Sequence, residues 1–233
     1  MGDLPDLKTV IDATLQDHAH VTQRVGASPQ SMFDFQWPWS IASAGANHLS
    51  NHGPAINALV SGGSQVASSP SGASITAAVA SGPTNPTNTD RVVNDGIFSS
   101  ALGSVQADQL LRTVLIGWSS GVQVGIVGGG GGSGVAYDII DHSNRSGVQY
   151  SAFNLGIGGQ VNAGLVLGAM TAEPASLNES TCVWSVGASV IAVGVFVQVI
   201  MKSSDLSLVG FALNIGGGAG LSSSSGYGSI STV

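Results

Sequence analysis

Histidines and carboxylates are the residue types here that could do chemistry. His18-Ala19-His20 and His48 with His52 have spacings a metal ion can use, and Asp12 or Asp17 could add a carboxylate. Gly53-Pro54 follows His52 directly and speaks against helical i,i+4 geometry for the second pair, so capping or surface histidines are the simpler reading. Asp138, Asp141 and His142 cluster beside Asn144 in a polar stretch that reads as solvated turn chemistry. Serines are plentiful, yet no GxSxG elbow occurs, and no Ser/His/Asp set assembles without free choice among loops. The glycine-rich run over 128–134 lacks the Lys-Ser/Thr of a phosphate loop and sits among β-type residues, so a turn or close backbone packing explains it better. The expectation is a protein with no catalytic residues, no metal and no cofactor. For binding, the candidates are Phe33, Phe35, Trp37 and Trp39, which alternate with polar residues or proline in FDFQWPWS and so suggest an extended segment with one sticky face.

Composition narrows the partners. Only 8% of the 233 residues are charged, 34 are glycine, and the net charge is −7 with six basic residues in all. That leaves no basic stripe to neutralise phosphates, so nucleic acid is excluded as a partner. Electrostatic docking on anionic lipid is disfavoured for the same reason, and any lipid contact would be largely apolar. The single Cys182 excludes an intrachain disulfide and a multi-cysteine zinc site, and reads as a buried small hydrophobe. The start MGDLPDLKTV carries acidic residues and no apolar run, so it is not a secretory signal. A mature chain, export by a route without a visible signal, and cytoplasmic residence all remain open.

Three regions must position these residues. Over 1–26, Leu4, Leu7, Val10, Ile11, Leu15 and Val21 recur at spacings of three and four, which predicts an amphipathic helix ended by Gly26. The region 27–109 is rich in Ser, Ala, Gly and Pro, carries no charge between Asp34 and Asp90, and is expected to be partly irregular. From 110 to 233, uncharged blocks at about 114–137, 146–172, 180–201 and 206–233 are separated by the polar connectors DIIDHSNR, EPASLNE and KSSD. Each block suits one membrane helix or one β-hairpin. Alternation of Val193, Val195, Val197, Val199 and Met201, and again of Val209, Phe211, Leu213 and Ile215, follows the strand period. Glycine clusters near the block centres oppose helix and suggest hairpin turns. Four hairpins give eight strands, a number suited to a filled, closed antiparallel barrel that leaves no edge exposed. A faint echo between 122–139 and 210–231, each an apolar strand followed by glycines, serine and tyrosine, suggests duplication.

The segment GGGGGSGVAYD, the polar turn after it, VQYSAFNLGIGGQVNAGLVLGA and the closing glycine-rich strand resemble the virulence-associated protein (Vap) family of rhodococci over about 110–233. That resemblance implies a compact eight-stranded barrel of two Greek-key units behind a poorly ordered N-terminal region. It also implies a secreted, non-enzymatic effector acting on host endomembranes. The chain departs from the family in its N-terminal amphipathic helix and in lacking a visible signal peptide. The resulting expectation is a binding protein whose partner is a lipid membrane or a host protein, in the manner of a virulence effector or toxin-like factor. The alternative is a self-assembling structural or surface protein, for which a homo-oligomer would be the natural state.

Overall fold

The structure, a computed structural model, describes residues 36–106, 108–190 and 193–233. The amphipathic helix expected over 1–26 lies outside these residues, as do Phe33 and Phe35. Among the described residues five helices precede six strands: α1 (Gln36–Asn51), α2 (Gly53–Ser68), α3 (Gly72–Ser81), α4 (Pro86–Val93) and α5 (Gly96–Val105). Part of the region expected to be irregular is thus helical. Its apolar period is sparse but present, since α2 buries Ala55, Leu59, Gly62 and Val66 at spacings of four, three and four. Glycine stands in that stripe because the helix is wedged in: a Cβ on Gly62 would come 2.3 Å from Ala101 of α5, and one on Gly63 would come 2.2 Å from Ile215. The shorter helices begin at side-chain caps, Asn85 accepting from Thr87 N and Asp95 from Ile97 N, both at 3.0 Å.

The strands are β1 (Thr113–Val124), β2 (Val127–Asp138), β3 (Arg145–Met170), β4 (Glu179–Val190), β5 (Val193–Lys202) and β6 (Leu208–Thr232). Two of the uncharged blocks are the hairpins β1–β2 and β4–β5. The other two are not hairpins. Each is one long bent strand whose first half pairs with the strand before it, and whose second half crosses over to pair elsewhere. In β3 the bend falls at Gly158, whose φ of +126° only glycine adopts readily. Counting the halves separately, eight antiparallel strands close into a barrel. Its ring order is β1, β2, first half of β3, second half of β6, β4, β5, first half of β6, second half of β3, and back to β1. Each set of three strands therefore makes a Greek key, with its returning half beside its first strand.

The glycine run over 128–134 lies inside β2 and is not the turn, which is made at Gly125 with a φ of +63°. The sequence echo between 122–139 and 210–231 does not mark the structural repeat either, because β1, β2 and β3 correspond to β4, β5 and β6 in the ring.

The alternating apolar face points outward. Val197, Val199, Met201, Phe211, Leu213 and Ile215 join the helices in one continuous core outside the barrel wall. Inside, a second core of Leu115, Val148, Val166, Met170, Leu177 and Ile230 fills only the half of the barrel that holds the strand connectors. The expectation of a filled barrel holds for that half alone. In the other half polar side chains join apolar ones such as Val183 and Phe196 at the inward positions, because the helices already bury the outer apolar face.

Candidate functional site

The unfilled half of the barrel is a cavity of about 80 Å³, enough for several waters or a molecule of about glycerol's size. Its walls carry Ser119, Asn154, Asn162, Ser185, Gln198 and Asn214, with Tyr150 at the boundary to the apolar plug, and no charged residue. Glycines on neighbouring strands seat these amides against the wall. The Asn154 and Asn162 oxygens lie 2.3 and 3.0 Å from where a Cβ on Gly226 or Gly121 would be, and the Asn214 oxygen lies 2.7 Å from that of Gly164.

Asn214, 5% exposed, donates from Nδ2 to Ser119 Oγ. The Oδ1 atoms of Asn214 and Asn154 are buried with no protein partner. Each such oxygen costs about 1–3 kcal/mol if left dry. Among the described residues two further atoms of this kind, Trp184 Nε1 and Ser225 Oγ, sit on the outer face of the wall at paired positions of β4 and β6. Tyr150 donates to Trp118 O at 3.3 Å, and burial pushes its phenol well above the usual tyrosine range. The cavity therefore offers neutral donors and acceptors and no group that exchanges a proton near neutral pH.

Around this cavity the barrel has two unlike ends. Every charged residue from 110 onward lies at one of them: Arg112, Asp138, Asp141, Arg145, Glu173, Glu179, Lys202 and Asp205 sit at strand termini or in the three connectors. There Arg112 pairs with Glu173 at 2.9 Å, Lys202 with Glu179 at 3.3 Å, and Arg145 with Asp90 of α4 at 2.9 Å. The opposite end holds the β1–β2 turn and the bends of β3 and β6, and its sequence is uncharged throughout. At this end Val124 is 73% exposed and Ile126 72%. Val122 and Val161, both exposed, are cross-strand partners, and exposed Phe153 and Tyr227 form a second such pair on the adjoining outer wall. This is a contiguous apolar surface of the kind that marks an interaction site.

The residues singled out in the sequence are dispersed. Trp37 and Trp39 lie in α1, where two positions are about 200° apart around the axis, so they do not share a face as an extended segment would allow. Trp39 is half-buried; the side chain of Trp37 lies outside the described residues. His48 and His52 do have helical geometry, since His52 N donates to His48 O at 3.0 Å; Pro54 begins the next helix, where it needs no N–H. Their rings stack 6.3 Å apart, but each is engaged elsewhere. His48 Nε2 bonds the carbonyl of Leu206, whose φ is +58°, and His52 Nδ1 bonds Asp108 at 2.7 Å. The first fastens α1 to the β5–β6 connector, and the second ties the α1–α2 junction to the segment between α5 and β1. Among the described residues no group of three potential metal ligands converges. Asp138 and Asp141 make turns as expected, Asp138 accepting from Ile140 N and Asp141 from Ser143.

Sequence reasoning missed both the lumen and the apolar end. The lumen's signal was present in Asn154, Asn162, Gln198 and Asn214, polar residues inside strands whose alternate positions are apolar or small. No family model matches the chain, and no curated protein or solved structure is significantly similar to it.

Proposed function

We propose that this is a non-enzymatic binding protein that docks on lipid membranes through the uncharged end of its barrel. The observation that carries the reading is the segregation of charge: one end holds all the ionised groups of the barrel chain, and the other exposes Val122, Val124, Ile126, Val127 and Val161. Aliphatic side chains on glycine-rich turns suit an acyl boundary, and Phe153 and Tyr227 on the adjoining wall suit its headgroup rim. Transferring five half-exposed aliphatic side chains is worth roughly 5 kcal/mol before orientation is lost. That is the scale of a single lipid anchor, hence marginal and reversible binding. The lumen supports the non-enzymatic part, since its lining has no acid or base with a usable pKa. The resemblance to the Vap proteins would make this docking part of a secreted virulence effector acting on host membranes.

Co-flotation with phosphatidylcholine vesicles and with anionic vesicles tests the reading. Binding is expected to both, without preference, unchanged by salt, and weakened at least tenfold by Val124→Asp with Ile126→Asp. No binding to either, or binding only to anionic vesicles that salt abolishes, would overturn it. Concentration-dependent light scattering without lipid, lost in the same double variant, would favour the self-assembling alternative. Release of trapped dye would make the docking toxin-like.

A further inference from the structure

We infer that the lumen is a binding site for a small uncharged polyhydroxyl group of about glycerol's size, entered from the uncharged end. The way in is set by what fills the barrel. Leu177, carried on the short 3-10 turn Pro174–Ser176 between β3 and β4, joins Met170 and Ile230 in closing the charged end from inside. The open volume therefore adjoins the other end, where Gln123 and Gln160 face each other across β1 and β3. Gln123 Nε2 donates to Gly125 O of the apical turn at 3.3 Å.

The ligand class follows from the lining. An ionised ligand would find no counter-charge and would lose its hydration unpaired. A purely apolar ligand would strand Ser119, Asn162, Ser185 and Gln198, whereas a polyol sets its C–H faces against Val183 and Phe196 and its hydroxyls against those polar groups. A hydroxyl both donates and accepts, and so can serve amide oxygen and amide nitrogen alike. The lining meets it with both kinds of group, the amides of Asn162 and Gln198 and the hydroxyls of Ser119 and Ser185. Tight space excludes larger groups, because glycines already let the amides lie flat on the wall.

Such a group can come from two sources, a free polyol or the hydroxylated head of a neutral lipid; only the second rests on the membrane reading. The probes are glycerol in solution, and phosphatidylcholine vesicles with and without about a tenth of diacylglycerol. Side-chain amide resonances are followed by NMR with glycerol, and binding by co-flotation with vesicles. Glycerol is expected to shift the amides of Asn154, Asn162 and Asn214, and Asn214→Leu to weaken that response at least tenfold. Gly164→Ala, which forces the Asn214 amide off the wall into the lumen, should weaken it as well and guards against misfolding of the first variant. A diacylglycerol-dependent rise in vesicle binding of fivefold or more, cancelled by either variant, assigns the lipid source. A glycerol response without that rise assigns the soluble one. If neither probe moves the lumen amides of the folded wild-type protein, the inference is overturned. Binding to plain phosphatidylcholine is read separately, so its loss would defeat the docking proposal and leave the lumen assignment standing.

Discussion

The two ends of the barrel are built from the same strands and solve opposite problems. At the charged end the inside is apolar and packed, while the outside carries ion pairs and aspartate-anchored turns. At the uncharged end the inside is hollow and carries polar side chains among apolar ones, while the outside is apolar and exposed. The first is the arrangement any water-soluble fold adopts. The second inverts it, and an inversion that costs stability on both faces is the mark of a surface kept for binding.

The largest effects should separate the ends by stability. Leu177→Ala removes part of the inner plug and is expected to cost about 3 kcal/mol, as other buried leucines do. Asn214→Leu, of similar volume in the polar half, is expected to leave stability unchanged or raise it by about 1 kcal/mol, because an unpaired buried oxygen disappears. Urea unfolding of both variants measures the contrast. Equal losses would mean that the lumen amides are structural and would break the comparison. Gly45→Val probes the outer core, where a Cβ on Gly45 of α1 would sit 2.7 Å from the Trp184 ring, and overpacking of about 1–3 kcal/mol should follow.

These contrasts also show what could be read from sequence. The strands were legible because valine alternation over 193–201 and 209–215 follows the strand period, and the count of eight, reached from four hairpins, holds because each long bent strand supplies two halves. The hairpin assignment failed for two blocks because a glycine cluster permits a reversal and a bend equally, and pairing with strands distant in the sequence decides between them. The repeat was sought in glycines and lay elsewhere. Asp141-His142-Ser143 and Asp205-Leu206-Ser207 occupy corresponding connectors before the two long strands, each aspartate accepting from the amide and hydroxyl of its serine. The direction of the apolar face was not legible, since strand alternation says that one face is buried and not whether a lumen or a helix layer buries it. The extended reading of the aromatic segment fails at Trp37 and Trp39, which have period two only in an extended chain, and helix α1 is not one.

Alkali sharpens the comparison with one tyrosine on each side. Burial, the main cause in both, holds the phenols of Tyr137 and Tyr150 well above the usual range. In the unfolded chain they ionise near pH 10, roughly the free value. A folded pKa raised in this way contributes stability that is full below that pH and is lost as pH rises further. The urea midpoint should therefore fall steeply from about pH 10 upward, and less steeply in either Tyr→Phe variant. At neutral pH the two part company. Tyr137 hydrogen-bonds Thr89 and donates to Asp90 at 2.9 Å, so Tyr137→Phe should cost about 1–2 kcal/mol. Tyr150→Phe gives up a long bond to Trp118 O and one to Ser119, neither with a carboxylate, and should cost about 1 kcal/mol.

The smallest effect is expected where the charges are. Arg112 and Glu173 are each about half exposed, as is Lys202 opposite Glu179, so Arg112→Ala and Lys202→Ala should each change stability by less than about 0.5 kcal/mol. Serine hydrogen bonds hold the carboxyls of Asp141 and Asp205 below the usual range, the hydroxyl of Ser143 or Ser207 first and its amide second. A depressed pKa contributes stability above the ordinary carboxylate range that fades as pH falls, and at fully exposed positions water screens that contribution. Unfolding midpoints compared at low and high salt should therefore coincide. A large salt shift would mean that charge is placed to hold the fold together. Its absence leaves solvation as the reason all of it sits at one end: a strongly hydrated pole keeps the protein in water and turns the opposite, uncharged pole toward whatever apolar surface it meets.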